Sequence, residues 1–240
     1  MMHRRLVTLS LAASLCAGLA LAQASRTPSP ARSASPMLST SPAPSTSPAP
    51  DTARRPSPPG TAATQVGGTW STDADGDKQY TGGKWIEVTY SRPILRGRQN
   101  IFGKGADYGK TVYAGAPVWR AGANTTTRLK TEAALELGGK RLEPGEYSLF
   151  VDLKENAWTL IVSKQPYQKQ GFDPKEKVAT SGATNYDPKY DVVRVPMTMM
   201  KPKVSIDQFT IGFADMTDQG GKLAMAWDGE AAVVPFRVVS

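Results

Sequence analysis

The feature that most limits how this chain can fold is a series of short strand-like runs, separated by turn residues, between residues 65 and 240. The clearest run places four apolar side chains on one face, Tyr147, Leu149, Val151 and Leu153. The side chains between them, Ser148, Phe150 and Asp152, face the other way, because side chains alternate along a strand. A polar turn then leads into residues 158–162. The sequence therefore predicts a half-buried strand followed by an antiparallel partner.

Further runs of the same kind predict strands at residues 85–90, 125–133, 190–197 and 205–213. The pairs Gly138-Gly139 and Asp228-Gly229 each separate two strand-like runs, which is a hairpin signal. Two stretches are too polar and irregular for regular structure. A Gly-rich loop is expected after Pro93, and a long surface connection, with one helical turn near 174–178, at residues 164–188.

No run has the periodicity of an amphipathic helix. We predict an all-β fold, an antiparallel β-sandwich of about eight strands, with a jelly roll as one variant.

The N-terminal part of the chain predicts two segments without a core. Residues 1–22 combine a charged start, an apolar run and a small-x-small cleavage pattern, which indicates a signal peptide. An uncleaved membrane anchor is the alternative, although the apolar run is short for a span. Residues 23–64 are rich in Pro, Ser and Ala and predict a disordered linker, acting as a tether or as a Pro-rich ligand. Residues 65–240 then form a single domain in a protein exported to the periplasm or beyond.

The chain contains a single histidine, His3, and a single cysteine, Cys16, and both lie in the predicted signal peptide. A mature chain without them has no Ser-His-Asp or Cys-His nucleophile, no disulfide framework and no His/Cys zinc site. We expect no cofactor and no transmembrane segment in the mature chain. Any catalysis would depend on Asp, Glu, Tyr, Lys, Ser or Arg.

The net charge of +8 does not indicate a nucleic-acid partner. Residues 1–64 contain six arginines and one aspartate, so residues 65–240 carry only +3. No basic run with interleaved aromatic residues is present. The basic tail could instead contact an anionic or carbohydrate component of the cell envelope.

The strongest candidate for a binding site is a group of polar side chains around the Gly-rich loop: Tyr90, Arg92, Arg98, Arg120 and Asn124. Guanidinium groups suit the carboxylate or phosphate of a ligand. The alternative is that each arginine pairs with an acid, such as Asp107 or Glu132, and braces a loop. Trp158 and Trp227 are interpreted as core residues.

Two other clusters carry weaker signals. Asp73, Asp75 and Asp77 resemble a calcium loop, but glycine and glutamate are not where an EF-hand needs them, so a solvated turn is the default. Paired carboxylates could support a hydrolase acting on envelope glycans, with Glu87, Glu132, Glu146 and Asp152 available. No spacing rule selects a pair among them.

Three motifs in fixed order resemble a secreted bacterial family known as domain of unknown function 2911: Ser91-Arg92-Pro93 with Gly97-Arg98 and Ile101-Phe102-Gly103, Trp119-Arg120-Ala121-Gly122-Ala123-Asn124, and Pro144-Gly145-Glu146-Tyr147-Ser148-Leu149-Phe150. The resemblance covers about residues 65–238 and implies an exported bacterial β-domain with no established activity. Residues 111–118 look like an insertion relative to the family pattern. Taken together, the sequence predicts an exported, non-enzymatic binding module for an anionic or carbohydrate ligand, with the glycan hydrolase as the alternative.

Overall fold

The computed structural model describes residues 56–240. The predicted signal peptide and most of the predicted linker lie outside these residues. Within them, no helix is long and apolar enough to cross a membrane.

Fourteen β-strands make up about half of the described chain, and a one-turn helix, α1 (Lys110–Tyr113), lies in the loop before β5. The strands are β1 (Pro59–Val66), β2 (Thr69–Thr72), β3 (Lys78–Thr81), β4 (Lys84–Ser91), β5 (Thr127–Thr131), β6 (Leu135–Leu137), β7 (Lys140–Leu142), β8 (Gly145–Asp152), β9 (Thr159–Ser163), β10 (Asp191–Pro196), β11 (Thr198–Met200), β12 (Ile206–Thr217), β13 (Gly220–Asp228) and β14 (Glu230–Val238).

The strands form two large antiparallel sheets and one small one. The first sheet has the order β1-β4-β5-β8-β9-β10, and the second has the order β12-β13-β14-β6-β7, with β11 beside β14. β2 and β3 form a separate two-stranded hairpin. The inner faces of the two large sheets share one hydrophobic core. The predicted all-β antiparallel sandwich is therefore confirmed.

The predicted hairpins match the observed pairing. β8 pairs with β9, β6 pairs with β7 across Gly138-Gly139, and β13 pairs with β14 up to the Asp228-Gly229 turn. Alternation and turn chemistry depend on residues close together in the sequence, so the pairings that they predict are found in the folded chain.

The structure differs from the prediction in several respects. It has fourteen strands rather than about eight, and the β2–β3 hairpin was not predicted. Strand β1 begins at Pro59, so the last residues of the predicted linker, 59–64, pair with β4 instead. No helical turn forms near 174–178, where Pro174 begins a non-helical turn. Ser148 and Phe150, expected on a solvated face of β8, are fully buried. Phe150 packs with Val118, Ile161 and Ala183, because the connection between β9 and β10 covers this face.

One end of the core is an aromatic cluster of Phe102, Trp119, Trp158, Phe209 and Trp227. The Trp119 and Trp227 rings stack at 6.4 Å with an interplanar angle of 11°. Phe102 lies 5.0 Å from Trp158, and Trp119 lies 4.9 Å from Phe209, centroid to centroid. Aromatic pairs in these geometries add to the free energy of burial. This cluster forms a rigid base for the loop between β4 and β5.

Candidate functional site

A cavity of about 340 Å³ opens where the loop between β4 and β5 folds over the aromatic cluster. This volume lies within the usual range of ligand pockets. Its lining comes from the start of the described chain, the loop, α1 and the end of β13. The lining residues are Pro56, Ser57, Pro93, Arg98, Ile101, Thr111, Val112, Ala114, Trp119, Arg120, Gly122, Ala123, Asn124 and Trp227.

The turn at residues 119–124 is fixed to the first sheet. Trp119 exchanges two backbone hydrogen bonds with Val151 of β8, at 2.9 and 2.8 Å, so it continues the line of β5 along that strand. Its indole Nε1 donates to the carbonyl of Gly122 at 3.2 Å. A Cβ at position 122 would lie 2.7 Å from the carbonyl oxygen of Ser91, so only glycine fits there. The turn therefore holds its neighbours in one geometry.

Arg120 lies half-buried in this turn and carries a charge with few internal partners. Its Nη1 donates to the carbonyl of Asn124 at 3.1 Å, and this is its one side-chain hydrogen bond to the described residues. Burial lowers the pKa of the guanidinium, which still stays charged at neutral pH. Asn124 has a left-handed backbone, with φ +57°, and its Nδ2 donates to the carbonyl of Ser57 at 3.2 Å. Several Arg120 donors remain for a ligand.

Arg98 reaches the same cavity from the other end of the loop. Its Nε and Nη2 donate to the carbonyls of Leu95 and Ile94, at 2.9 and 2.8 Å. Its Cζ lies 6.0 Å from the centre of the Trp227 ring. Both contacts restrict the side chain, while Nη1 makes no hydrogen bond within residues 56–240. Arg98 is thus a largely pre-positioned cation.

No acidic side chain lines this cavity, and no ion pair within residues 56–240 includes Arg92, Arg98 or Arg120. The acids expected as their partners are engaged elsewhere. Asp107 pairs with Lys110 at 2.7 Å, and Glu132 accepts from the backbone N–H of Trp85 at 2.9 Å. Two arginines and no acid therefore line this cavity, while Arg98 also borders an adjoining cavity that contains Asp207 and Asp228.

The structure brings together Arg98, Arg120 and Asn124 but places Tyr90 and Arg92 apart from them. Tyr90 points into the core, where its hydroxyl bonds the backbone of Ile211. Arg92 leans toward β12, with Nε 3.5 Å from the carbonyl of Phe209 and Nη2 3.4 Å from the hydroxyl of Thr210. Both residues link the two large sheets.

Comparison with family models shows that residues 72–236 match the family described as protein of unknown function (DUF2911). The match covers more than half of the chain. The chain belongs to this family. The resemblance based on its three motifs is confirmed. Comparisons with curated proteins and with solved structures gave no significant match.

The DUF2911 match includes the three polar residues of the cavity and the region interpreted as an insertion. Thr111, Val112 and Ala114 from that region line the cavity beside Arg120, so the region forms part of the cavity wall.

Trp227 also lines the cavity, although the sequence indicated only a core role for it. Its buried position supports that core role as well. A tryptophan at the end of a strand, next to a turn, is the only sequence signal for this second role.

The acidic loop between β2 and β3 has an internal role in this DUF2911 protein. One Asp73 oxygen accepts the backbone N–H groups of Asp75 and Asp77, at 3.1 and 2.9 Å, and the other accepts from Gln79. These bonds lower the pKa of Asp73. Within residues 56–240, no three acidic side chains are grouped as metal ligands would be. The loop geometry is that of a turn closed by its own side chain.

Two of the carboxylates considered for hydrolysis, Glu87 and Glu146, are register partners of Lys130 from either side of β5. Glu132 caps Trp85, Glu146 lies 3.8 Å from Arg128, and Asp152 pairs with Arg194 at 3.2 Å. A small cavity of about 150 Å³ near the β13–β14 turn does gather acids that the sequence did not single out. They are Glu155, Asp228 and Glu230, accompanied by Lys104, Lys201 and Tyr108.

Proposed function

We propose that this DUF2911 protein is an exported binding module that holds a small anionic ligand, a carboxylate or a phosphate, between Arg98 and Arg120. The observation that carries the proposal is a cavity lined by two arginines and no acid. A guanidinium favours an anionic partner, and a partly buried site strengthens the attraction. Export rests on the leader predicted at residues 1–22.

The shape of the cavity supports binding of one small ligand. The stacked rings of Trp119 and Trp227 form a stiff floor, and Asn124 supplies an amide beside the arginines. Because both cations are held by backbone carbonyls, little side-chain entropy is lost when a ligand binds. The site is organised before the ligand arrives.

Binding accounts for these features better than the alternative, a carboxylate-dependent hydrolase of envelope glycans. The acids gathered near the β13–β14 turn each serve a structural contact. Glu155 accepts from the N–H of Gly105, Asp228 accepts from the N–H of Ile101, and Glu230 pairs with Lys201. These contacts engage at least one oxygen of each acid, although Oε2 of Glu230 is buried without a hydrogen-bond partner among residues 56–240.

A thermal-shift screen of the purified full chain tests the proposal. The panel contains phosphate, sulfate, citrate, glucuronate and, as a neutral counterpart, glucose, all at matched ionic strength. An anion that occupies the cavity stabilises the folded state by mass action and so raises the melting temperature. At a free anion concentration of a hundred times Kd, the free energy of unfolding increases by about 2.7 kcal/mol. A panel in which no anion exceeds the effect of sodium chloride contradicts the proposal.

Arg120→Gln removes one charge from the cavity, and Arg141→Gln removes one from an exposed ion pair with Glu143, away from it. We expect the first variant to lose about tenfold or more in anion affinity, because charge-assisted hydrogen bonds contribute about 1.5–3 kcal/mol. Arg141→Gln should bind as the parent does. Arg120→Lys keeps the positive charge but lacks the planar guanidinium, so it distinguishes the contribution of the charge from that of the hydrogen-bond geometry.

A further inference from the structure

Two tryptophans on the outer surface of this protein are unusually exposed. Trp70 on β2 is 62% exposed, and Trp85 on β4 is 44% exposed. Tryptophan is highly buried on average, so such residues are informative where they cluster. Trp85 is the register partner of Gln65 on β1, and Gln65 lines the same open cavity as Trp70. Neighbours in register share one face of a sheet. The two tryptophans therefore flank one surface region.

Trp70 stands on a fixed support. Its register partner across the hairpin is Tyr80, and the two ring centroids lie 5.0 Å apart. The Tyr80 hydroxyl donates to Oδ1 of Asp218 at 2.9 Å and accepts from the N–H of Gly68 at 2.8 Å. A Cβ at Gly68 or Gly83 would come within 2.5 or 2.6 Å of the Tyr80 ring, so both glycines leave room for it. These contacts tie the hairpin to the β12–β13 turn.

The cavity beside Trp70 has a volume of about 550 Å³ and a lining of both polar and apolar side chains. Its lining residues are Gln65, Trp70, Tyr80, Met216, Thr217 and Asp218, which we call the Trp70 platform. Within residues 56–240, the Gln65 amide makes no hydrogen bond, and Oδ2 of Asp218 accepts none. An amide donor, an amide acceptor and a carboxylate oxygen are thus available beside an exposed aromatic face.

We propose that the Trp70 platform binds an uncharged carbohydrate. A pyranose ring has an apolar face of C–H groups, which suits the electron-rich face of an aromatic ring, and an edge of hydroxyls, which suits the Gln65 amide and the Asp218 carboxylate. No basic side chain lines the platform, and Asp218 repels anions. An apolar protein segment would instead bury the Gln65 and Asp218 groups without partners, at a cost in free energy. This site is separate from the arginine cavity.

Isothermal titration calorimetry of the full chain with cellohexaose, maltohexaose and N-acetylchitohexaose, all of them uncharged, tests the inference. At least one of them should bind at micromolar to millimolar concentration, and Trp70→Ala should weaken that binding about tenfold or more. Trp70→Phe, which keeps an aromatic face, should retain part of the affinity. Phe172→Ala is the matched control, because Phe172 is also 62% exposed but lies in the connection between β9 and β10.

Failure of this inference is distinguishable from failure of the anion proposal. Trp70→Ala should leave anion binding unchanged, and Arg120→Gln should leave oligosaccharide binding unchanged. The inference is overturned if no oligosaccharide of the panel binds at millimolar concentration, or if Trp70→Ala binds as tightly as the parent. It is also overturned if the exposed rings prove to mediate self-association, seen as a dimer that Trp70→Ala abolishes without any sugar binding.

Discussion

Arg120 lies directly against the backbone of Gly182, in the connection between β9 and β10. A Cβ at position 182 would come within 2.6 Å of Nη1 and 2.8 Å of Cζ of that guanidinium. The carbonyl of Gly182 also accepts from the hydroxyl of Thr126 at 2.9 Å, which fixes this backbone next to β5. The position of the half-buried Arg120 charge therefore depends on a glycine 62 residues further along the chain.

Gly182→Ala should weaken anion binding because the added methyl displaces the Arg120 guanidinium. It should also cost about 1 kcal/mol of stability, since residue 182 has a φ of +63°. Gly171→Ala is the matched control: residue 171 belongs to the same connection, has a φ of +100°, and its Cβ would meet nothing within 4 Å. Titration with the anion found in the screen checks this. Equal anion affinity in the two variants would mean that Gly182 does not position Arg120.

Tyr90→Phe should destabilise the sandwich without changing anion binding. The Tyr90 hydroxyl accepts from the N–H of Ile211 at 2.9 Å and lies 3.3 Å from its carbonyl, so it joins the two sheets inside the core. Removing it leaves a buried backbone N–H without an acceptor, at a cost of about 1–3 kcal/mol. Urea unfolding measures this loss. Tyr167→Phe removes a hydroxyl that has no hydrogen bond within residues 56–240 and should cost much less.

If Tyr90→Phe instead weakened anion binding at unchanged stability, Tyr90 would belong to the binding site as the sequence predicted. This result would move the site from the loop cavity toward the β1–β4 surface, where Tyr90 also lines a groove with Arg128.

Stability should fall at alkaline pH, and Tyr108 should account for part of the fall. Burial raises the pKa of Tyr108 to about 12, from an ordinary value of 10.0. Between these values the unfolded chain releases the phenol proton and the folded chain keeps it, so the free energy of unfolding decreases as pH rises. The contribution of Tyr108 is at most about 2.7 kcal/mol. Burial also raises the pKa of Tyr113, Tyr147 and Tyr186, which act in the same direction.

Urea unfolding from pH 8 to pH 12 checks this contribution. Tyr108→Phe should lower stability at pH 8, because Nε1 of Trp158 loses its acceptor at 2.8 Å. The stability of this variant should then fall less steeply with pH than that of the parent. Identical slopes would show that Tyr108 ionises at its ordinary pKa in the folded protein.

Local patterns were sufficient for many of the strands and for three hairpins, but not for β1, for the β2–β3 hairpin or for the segments that cover the sheets. The alternation at residues 147–153 correctly predicted β8, yet the sequence could not show that the connection after β9 folds back over Phe150. Burial of that face depends on a contact between segments far apart in the chain. In the same way, residues 59–64 have the composition of a linker, and pairing with β4 makes them a strand.

The candidate site was predicted only in part, because it too depends on contacts between segments far apart in the chain. Arg98, Arg120 and Asn124 lie in one loop, so the loop brings them together. The alternation of side chains along β4 indicates that Tyr90 points into the core. The adjacent motif, Ser91-Arg92-Pro93, favoured a place in the binding site instead. The Trp70 platform left only a weak signal, a tryptophan among Thr and Ser residues after Gly67-Gly68. The polar neighbours of Trp70 are consistent with a strand that no core covers.

The most direct test of the central claim is a double-mutant cycle on Arg98 and Arg120, measured by titration with the tightest anion of the screen. If both guanidiniums hold the same anion, each single change to Gln should weaken binding, and the losses should be coupled by more than about 0.5 kcal/mol. Arg141→Gln should change nothing. Unchanged affinity in the Arg98→Gln/Arg120→Gln double variant, with the fold intact, would contradict the assignment of this cavity as an anion site.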